Sequence, residues 1–238
     1  MSQFEAIILA AGRGKRLGEL GEAIPKGLLA IAGEPMVKRS IRILKKNGAS
    51  RIILVTGHRE EKYHEQFEND SSVCLVSNER FAESGSLESL RVGLVHANLM
   101  APIIVLDSDI IYQETGLQRL LGEQGSSVLT SGITQSGDEV WVVSDNHQVV
   151  SISKEAKCVG KEVTEFVGIT RLEAPLPQLI LSLFKSDHQS STMEYEAALS
   201  LLCRNSRLSV CFDESLIWSE VDTHAQFERA SSLFGGSH

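Results

Sequence analysis

Short, unbroken apolar runs recur along the first half of the chain, each ending in glycine, asparagine or an acid. EAIILA (5–10), too short for a helix and continuously apolar, and RIILVTG (51–57) read as buried strands, VCLVSN (73–78) as a third strand and PIIVLDSD (102–109) as a fourth that ends in acids. Stretches of helical period separate them. PMVKRSIRILKKNG (35–48) opens on proline, repeats Val37, Ile41 and Leu44, and stops at Asn-Gly. EEKYHEQFEND (60–70) follows, then GSLESLRVGLVHA (85–97) with Leu87, Leu90 and Leu94 on one face. This alternation predicts βαβ units and an α/β fold: a three-layer sandwich with a mostly parallel, mixed central sheet and helices on both faces.

The pattern changes after about residue 113. SSVLTSGI, DEVWVVSD, QVVSISK and EFVGITRL are short β-branched runs separated by turn residues, which reads as a mixed or antiparallel extension of the same sheet. Helices are expected at 177–186 and 193–205, a strand at RLSVCFD (207–213), then LIWSEVDT and a final helix from about His224. No linker or internal repeat divides the chain, so one domain is expected over residues 1–235.

Composition narrows the function classes. The 238 residues carry a net charge of −8, which argues against binding to nucleic acid or to an anionic membrane surface. No apolar run approaches the length that spans a bilayer, and MSQFEAIILAAG reads as a first strand rather than a secretory signal. Cys74, Cys158, Cys203 and Cys211 form no CxxC pair and read as thiols of a reducing, cytoplasmic compartment. The histidines are scattered without metal-ligand spacing.

The candidate chemistry lies at LAAGRGKRLGELGEAIPKGLL (9–29). A glycine-rich, basic turn directly after a buried strand can cradle phosphate oxygens on backbone N–H groups. Walker A fails here, because Leu9 stands at the first glycine position and Arg16 follows Lys15. The dinucleotide fingerprint fails at Leu17. A structural turn with solvated basic residues is the alternative.

The longer string decides more. LAAGRGKRL followed by PKGLLAIAGEPMVKRSI resembles the signature of nucleotidyltransferases that activate phosphorylated small molecules. VLDSD (105–109), EFVGI (165–169) and WSEVDT (218–223) match later landmarks in order. The stretch SGDEVWVVSDNHQVVSISK is most similar to short bacterial phosphocholine and aminoalkylphosphonate cytidylyltransferases. The resemblance implies a Rossmann-like, nucleotide-diphospho-sugar transferase-like fold. Residues 1–112 would form its nucleotide-binding half and 113–235 its acceptor-binding half. It also implies Mg²⁺-dependent transfer of CMP from CTP, or of another nucleotide, to a small phosphonate or phosphorylated acceptor, releasing pyrophosphate. A homodimer is compatible with it. A sugar-1-phosphate nucleotidyltransferase, a guanylyltransferase of cofactor biosynthesis and an inactive nucleotide-sensing module stay open.

Residue by residue, the resemblance makes Arg16 and Lys26 the catalytic cations. Leu9, Ala10, Ala11, Gly12, Arg13, Gly14, Asn78, Ser86 and Asp107 become nucleotide contacts, with Gly85-Ser86 standing where relatives carry Asn-Asn. Asp109 and Asp222 become Mg²⁺ ligands. The alternatives are a solvated turn for Asp109 and an N-cap for Asp222. Asp107 and Asp109, two apart on a strand, are expected on one face. Lys154 is expected on the acceptor's phosphate. Trp141, Tyr195 and Trp218 would suit a quaternary ammonium, and Glu165, Glu194 or Glu196 a primary one, with packing or solvation the alternative for each. A chain with so few aromatics favours the amino-bearing acceptor over phosphocholine.

Overall fold

The computed structural model describes residues 3–155, 161–186 and 188–236; Cys158 lies outside them. The chain runs through β1 (Phe4–Ala10), α1 (Glu19–Ala23), β2 (Ala30–Ile31), β3 (Glu34–Pro35), α2 (Met36–Lys46), β4 (Ala49–Thr56), α3 (Glu60–Phe67), β5 (Val73–Ser77), α4 (Ser86–Val95), β6 (Ile103–Asp107), β7 (Ile110–Tyr112), α5 (Glu114–Gly122) and β8 (Ser127–Ser131). It continues with β9 (Trp141–Asp145), β10 (Gln148–Ser153), β11 (Glu162–Leu172), α6 (Leu176–Ser186), α7 (Tyr195–Leu202), β12 (Ser209–Asp213), β13 (Trp218–Glu220) and α8 (His224–Phe234).

Nine strands form the central sheet in the order β5-β4-β1-β6-β11-β8-β12-β10-β9. The first four are parallel; the apolar residues of β1 and β6 and of the second part of β4 are buried, whereas β5 is a half-buried edge strand. β11 enters antiparallel beside β6 and β8, and its N-terminal end also pairs with β9. The sheet is therefore mixed, with parallel pairing again between β12 and β8. Alternate residues of each strand feed opposite cores. Ala6, Ile8 and Ala10 face a cluster that includes Val37, Ile41, Tyr63 and Leu117, while Ile7 and Leu9 face Leu87, Leu90, Leu94, Ile180 and Leu199. The result is a three-layer α/β sandwich around a mixed central sheet. On the second face α4 packs so closely that a Cβ at Gly93 would stand 2.6 Å from Ile7 Cγ2.

The sequence pattern does not anticipate α5, the β2–β3 hairpin or β7. Each is short, and α5 has a glycine inside its first turn where Leu216 leaves no room for a side chain. β7 matters most for the site. It pairs antiparallel with β13, with Ile110 opposite Glu220. One step further the Val221 N–H donates to the Asp109 carbonyl at 2.8 Å. This ribbon carries residues 220–222 to the end of β6.

Candidate active site

Strands β4 and β6 flank β1, and the chain reverses its direction of travel across the sheet between β1 and β6. Ligands of open α/β sheets bind outside the carboxyl ends of strands at such a switch point. A cleft of about 570 Å³ lies there, lined along the first strand's end by residues 9–16. Gly14 has φ +63°, and a Cβ on it would stand 3.0 Å from Lys26 Cγ. Glycine thus lets the loop turn left-handed and lets Lys26 lie against it. Lys26 sits in a tight turn after Pro25, its Nζ 3.2 Å from Asp109 Oδ2 and ion-paired with Asp222. Arg16 ion-pairs with Asp222 and with Asp138.

Asp109, Glu220 and Asp222 converge, their nearest carboxylate oxygens within 4.8 Å of one another. Asp222 is 1% exposed, and it is not the N-cap of α8. Thr223 takes that role in a capping box with Gln226, whose Oε1 also accepts the Asp222 N–H at 2.8 Å. Burial and the nearby Asp109 charge push the Glu220 carboxyl up to about 7, while Lys26 pulls it down. Three carboxylates crowded in this way are a donor set of hard oxygens that suits a divalent cation such as Mg²⁺.

Asp107 and Asp109 both line the cleft, but not as alternate residues of one continuous strand. β6 ends at Asp107, and Asp109 lies in the turn that follows. Asp107 instead faces α7, where the Tyr195 hydroxyl donates to its Oδ2 at 3.4 Å. Gly168, at φ +82°, permits this, because a Cβ there would stand 2.7 Å from Asp107 Oδ2. Burial, then Asp109, holds the Asp107 carboxyl well above the usual carboxylate range.

Asn78 and Ser86 line the cleft, but their side chains are engaged within the protein. Asn78 donates to Ser84 Oγ at 3.2 Å and Ser89 Oγ at 3.0 Å and accepts the Arg80 N–H, so it shapes the loop that leads to α4. Ser86 donates to Glu194 at 2.5 Å.

Across the cleft, Lys154 Nζ donates to Asp138 Oδ1 at 2.9 Å. Burial alone would raise the Asp138 carboxyl, but Arg16 and Lys154 hold it below its ordinary value. Glu165, 1% exposed, accepts the Thr134 N–H at 2.5 Å and its hydroxyl at 2.8 Å, anchoring the loop that bears Asp138. Glu196 lines the cleft with no hydrogen-bonding side chain among the described residues. Burial, then Glu194, raises its carboxyl. The three aromatics do not form a wall. Trp218 lines the cleft and donates from Nε1 to Ser131 Oγ at 2.7 Å. Trp141 does not line it. Its neighbour Val140 does, as expected where adjacent residues of an extended chain point opposite ways. Tyr195 is buried in the core against Phe166, ring centroids 6.0 Å apart. Sequence reading passed over Glu220 and Asp138. Glu220 stands two before Asp222 in WSEVDT, the i, i+2 spacing that would have marked it, whereas nothing local marks Asp138.

The model of the MobA-like NTP transferase domain matches residues 6–171. The chain belongs to this nucleotidyltransferase family. It is 27% identical over 231 residues to a bifunctional IPC transferase and DIPP synthase of Thermococcus kodakarensis, which covers 96% of this chain and 50% of that protein. The chain thus spans about half the length of that relative. It is 26% identical over 170 residues to a 2-aminoethylphosphonate cytidylyltransferase of Lancefieldella rimae, covering 71% of this chain and 67% of that one. Among solved structures, an inositol-1-phosphate CTP transferase from T. maritima superposes with a TM-score of 0.81 at 20% identity, over 100% of this chain and 99% of the other. No helix among the described residues is long and apolar enough to cross a membrane.

Proposed function

We propose that the protein transfers CMP from CTP to a small phosphonate or phosphorylated acceptor. The observation that carries this reading is the meeting of two groups in one cleft: the cations Arg16 and Lys26 beside the glycine-rich turn, and the carboxylates Asp109, Glu220 and Asp222. The acceptor's oxygen, already ionised at neutral pH, attacks the α-phosphorus in line. The bond to the bridging oxygen breaks and pyrophosphate leaves with the electron pair. No protein nucleophile or base is needed, so catalysis is orientation plus stabilisation of charge.

The turn at residues 11–14 seats the phosphates. Arg16 and Lys26 face the charge that grows toward pyrophosphate, and Arg13 and Lys15, both exposed, add positive potential at the rim. Asp109 and Asp222, with Glu220 as a third carboxylate, would hold Mg²⁺, which supplies charge neutralisation at the reacting phosphate. Lys154 orients the acceptor's anionic group.

The acceptor's far end meets Glu196. A carboxylate suits a primary ammonium, and Trp141 and Tyr195 give no cage for a quaternary one. An amino-bearing acceptor such as 2-aminoethylphosphonate is therefore preferred to phosphocholine. A polyol phosphate is the second reading, because a carboxylate also accepts hydroxyl hydrogen bonds and the superposed structure is that of an inositol-1-phosphate enzyme.

Pyrophosphate release with Mg²⁺ tests this across four nucleoside triphosphates and three acceptors: 2-aminoethylphosphonate, phosphocholine and inositol 1-phosphate. CTP with 2-aminoethylphosphonate should give the highest kcat/KM. A preference for another acceptor by about tenfold, 1.4 kcal/mol, overturns the acceptor assignment. The same margin for another nucleotide overturns the cytidylyl assignment.

A further inference from the structure

Ser86 and Glu194 join the two halves of the chain at the cleft through side-chain hydrogen bonds. Helix α4 begins after Gly85, which has no side chain to cap it. Helix α7 begins after Glu194, whose side chain makes no bond to its own helix. Each helix instead receives its cap from the other. Glu194 Oε2 accepts the Ser86 N–H at 3.0 Å and the Ser86 hydroxyl at 2.5 Å. Ser86 Oγ in turn accepts the Tyr195 N–H at 2.9 Å. First-turn amides of both helices, which have no partner inside their own helix, are satisfied in this way.

Backbone bonds flank the exchange. The Gly85 N–H donates to the Ser191 carbonyl at 2.9 Å and the Leu87 N–H to the Met193 carbonyl at 3.1 Å. The approach is so close that a Cβ at Gly85 would stand 2.3 Å from the Met193 oxygen. Glycine at this position therefore serves packing between the halves.

Both partners line the cleft. Ser86 ends the loop of Asn78, Phe81 and Ser84, which lines the cleft where the proposed reaction seats the nucleotide. Glu194 starts the helix that carries Tyr195, bonded to Asp107, and Glu196, which lines the cleft where the proposed reaction seats the acceptor. We propose that Ser86 and Glu194 are positioning residues for the acceptor. By capping each other's helices they hold α7, and with it Glu196, in register with the nucleotide-side loop. Ser86 then serves the acceptor and not the base, since its hydroxyl donor is spent on Glu194. The inference rests on the nucleotidyl-transfer reading for its kinetic consequence, but its structural consequence is measured separately.

The test compares Ser86→Ala, Glu194→Ala, the double variant and Ser86→Thr. Hydrogen exchange is read at amides 195–198, CTP affinity by calorimetry, and acceptor KM by pyrophosphate release. In Ser86→Ala those amides should exchange about tenfold faster and acceptor KM should rise about fivefold, the size expected when charge-assisted hydrogen bonds are lost. CTP affinity should stay within about twofold, since no nucleotide contact is removed. Ser86→Thr, which keeps the hydroxyl, should restore both, and the double variant should be no worse than the worse single one. A loss of CTP affinity as large as the rise in acceptor KM would make Ser86 a nucleotide-reading residue and overturn the proposal. Unchanged exchange at 195–198 would overturn it as well. If the unaltered protein turns over no acceptor, the functional reading fails while the exchange measurement still decides whether the clasp holds α7.

Discussion

Lys26→Met isolates what one cation does in this cleft. The side chain is 15% exposed, its Nζ lies 3.2 Å from Asp109 Oδ2, and it pairs with Asp222, which is 1% exposed. Methionine keeps an unbranched apolar stem against Gly14 and removes the ammonium with its charge and N–H donors. Two effects follow and they separate experimentally. A fixed cation aimed at developing negative charge is worth ~10²–10³ in turnover, about 2.7–4 kcal/mol, so kcat should fall by that factor. CTP KM should change much less, because the interaction strengthens in the transition state. Stability should fall too. Removing one partner of a buried ion pair costs on the order of 3–5 kcal/mol when the other is left alone. Arg16 still pairs with Asp222, so the loss should be nearer ~1–3 kcal/mol, the cost of a buried group short of one hydrogen bond. Initial-rate pyrophosphate release gives the first quantity and urea unfolding the second. A kcat within about fivefold of the unaltered protein, with the whole effect in CTP KM, would show uniform ground-state binding and refute the catalytic role of Lys26.

Asp109→Ala or Asp222→Ala should lower turnover by at least ~100-fold, about 2.7 kcal/mol, while Mg²⁺ titration of the remaining activity shifts to higher concentration. Glu165→Ala should destabilise the protein by ~1–3 kcal/mol in urea, because the half-buried Thr134 N–H and hydroxyl lose their acceptor and the loop bearing Asp138 loosens. The Glu165 and Glu196 carboxyls lie above their ordinary value of 4.5, so the folded state binds more protons than the unfolded state between the two values. Their contribution is fully present below pH 4.5 and is lost as pH rises through the folded values, and Glu165→Gln should flatten that part of the stability profile in urea midpoints. Gly93→Ala should cost ~1–3 kcal/mol through the clash with Ile7, read as a lowered urea midpoint with an unchanged slope.

The sequence by itself determined the elements that depend on local pattern. Short apolar runs alternating with stretches of helical period mark strands and the helices between them, so β1, β4, β5 and β6 and those helices were legible, as was the glycine-rich turn, while the place of β5 as a half-buried edge strand was not. The membership of Arg16, Lys26, Asp109 and Asp222 in one motif set was legible from the order of landmarks along the chain. Tertiary structure alone decided which of these groups meet and what each side chain is free to do. Asp109 and Asp222 come together because β7 and β13 pair, and a three-residue strand leaves too little periodicity to be seen. Glu220 joins them through the same ribbon. Trp141 and Tyr195 looked like substrate contacts because composition gives no direction to a side chain; packing sends Tyr195 into the core and leaves Trp141 off the cleft wall. Ser86, Asn78, Glu165 and Glu194 carry the same polar groups whether they bind substrate or hold a loop. Only the partner across space distinguishes the two, and that partner lies up to 109 residues away along the chain.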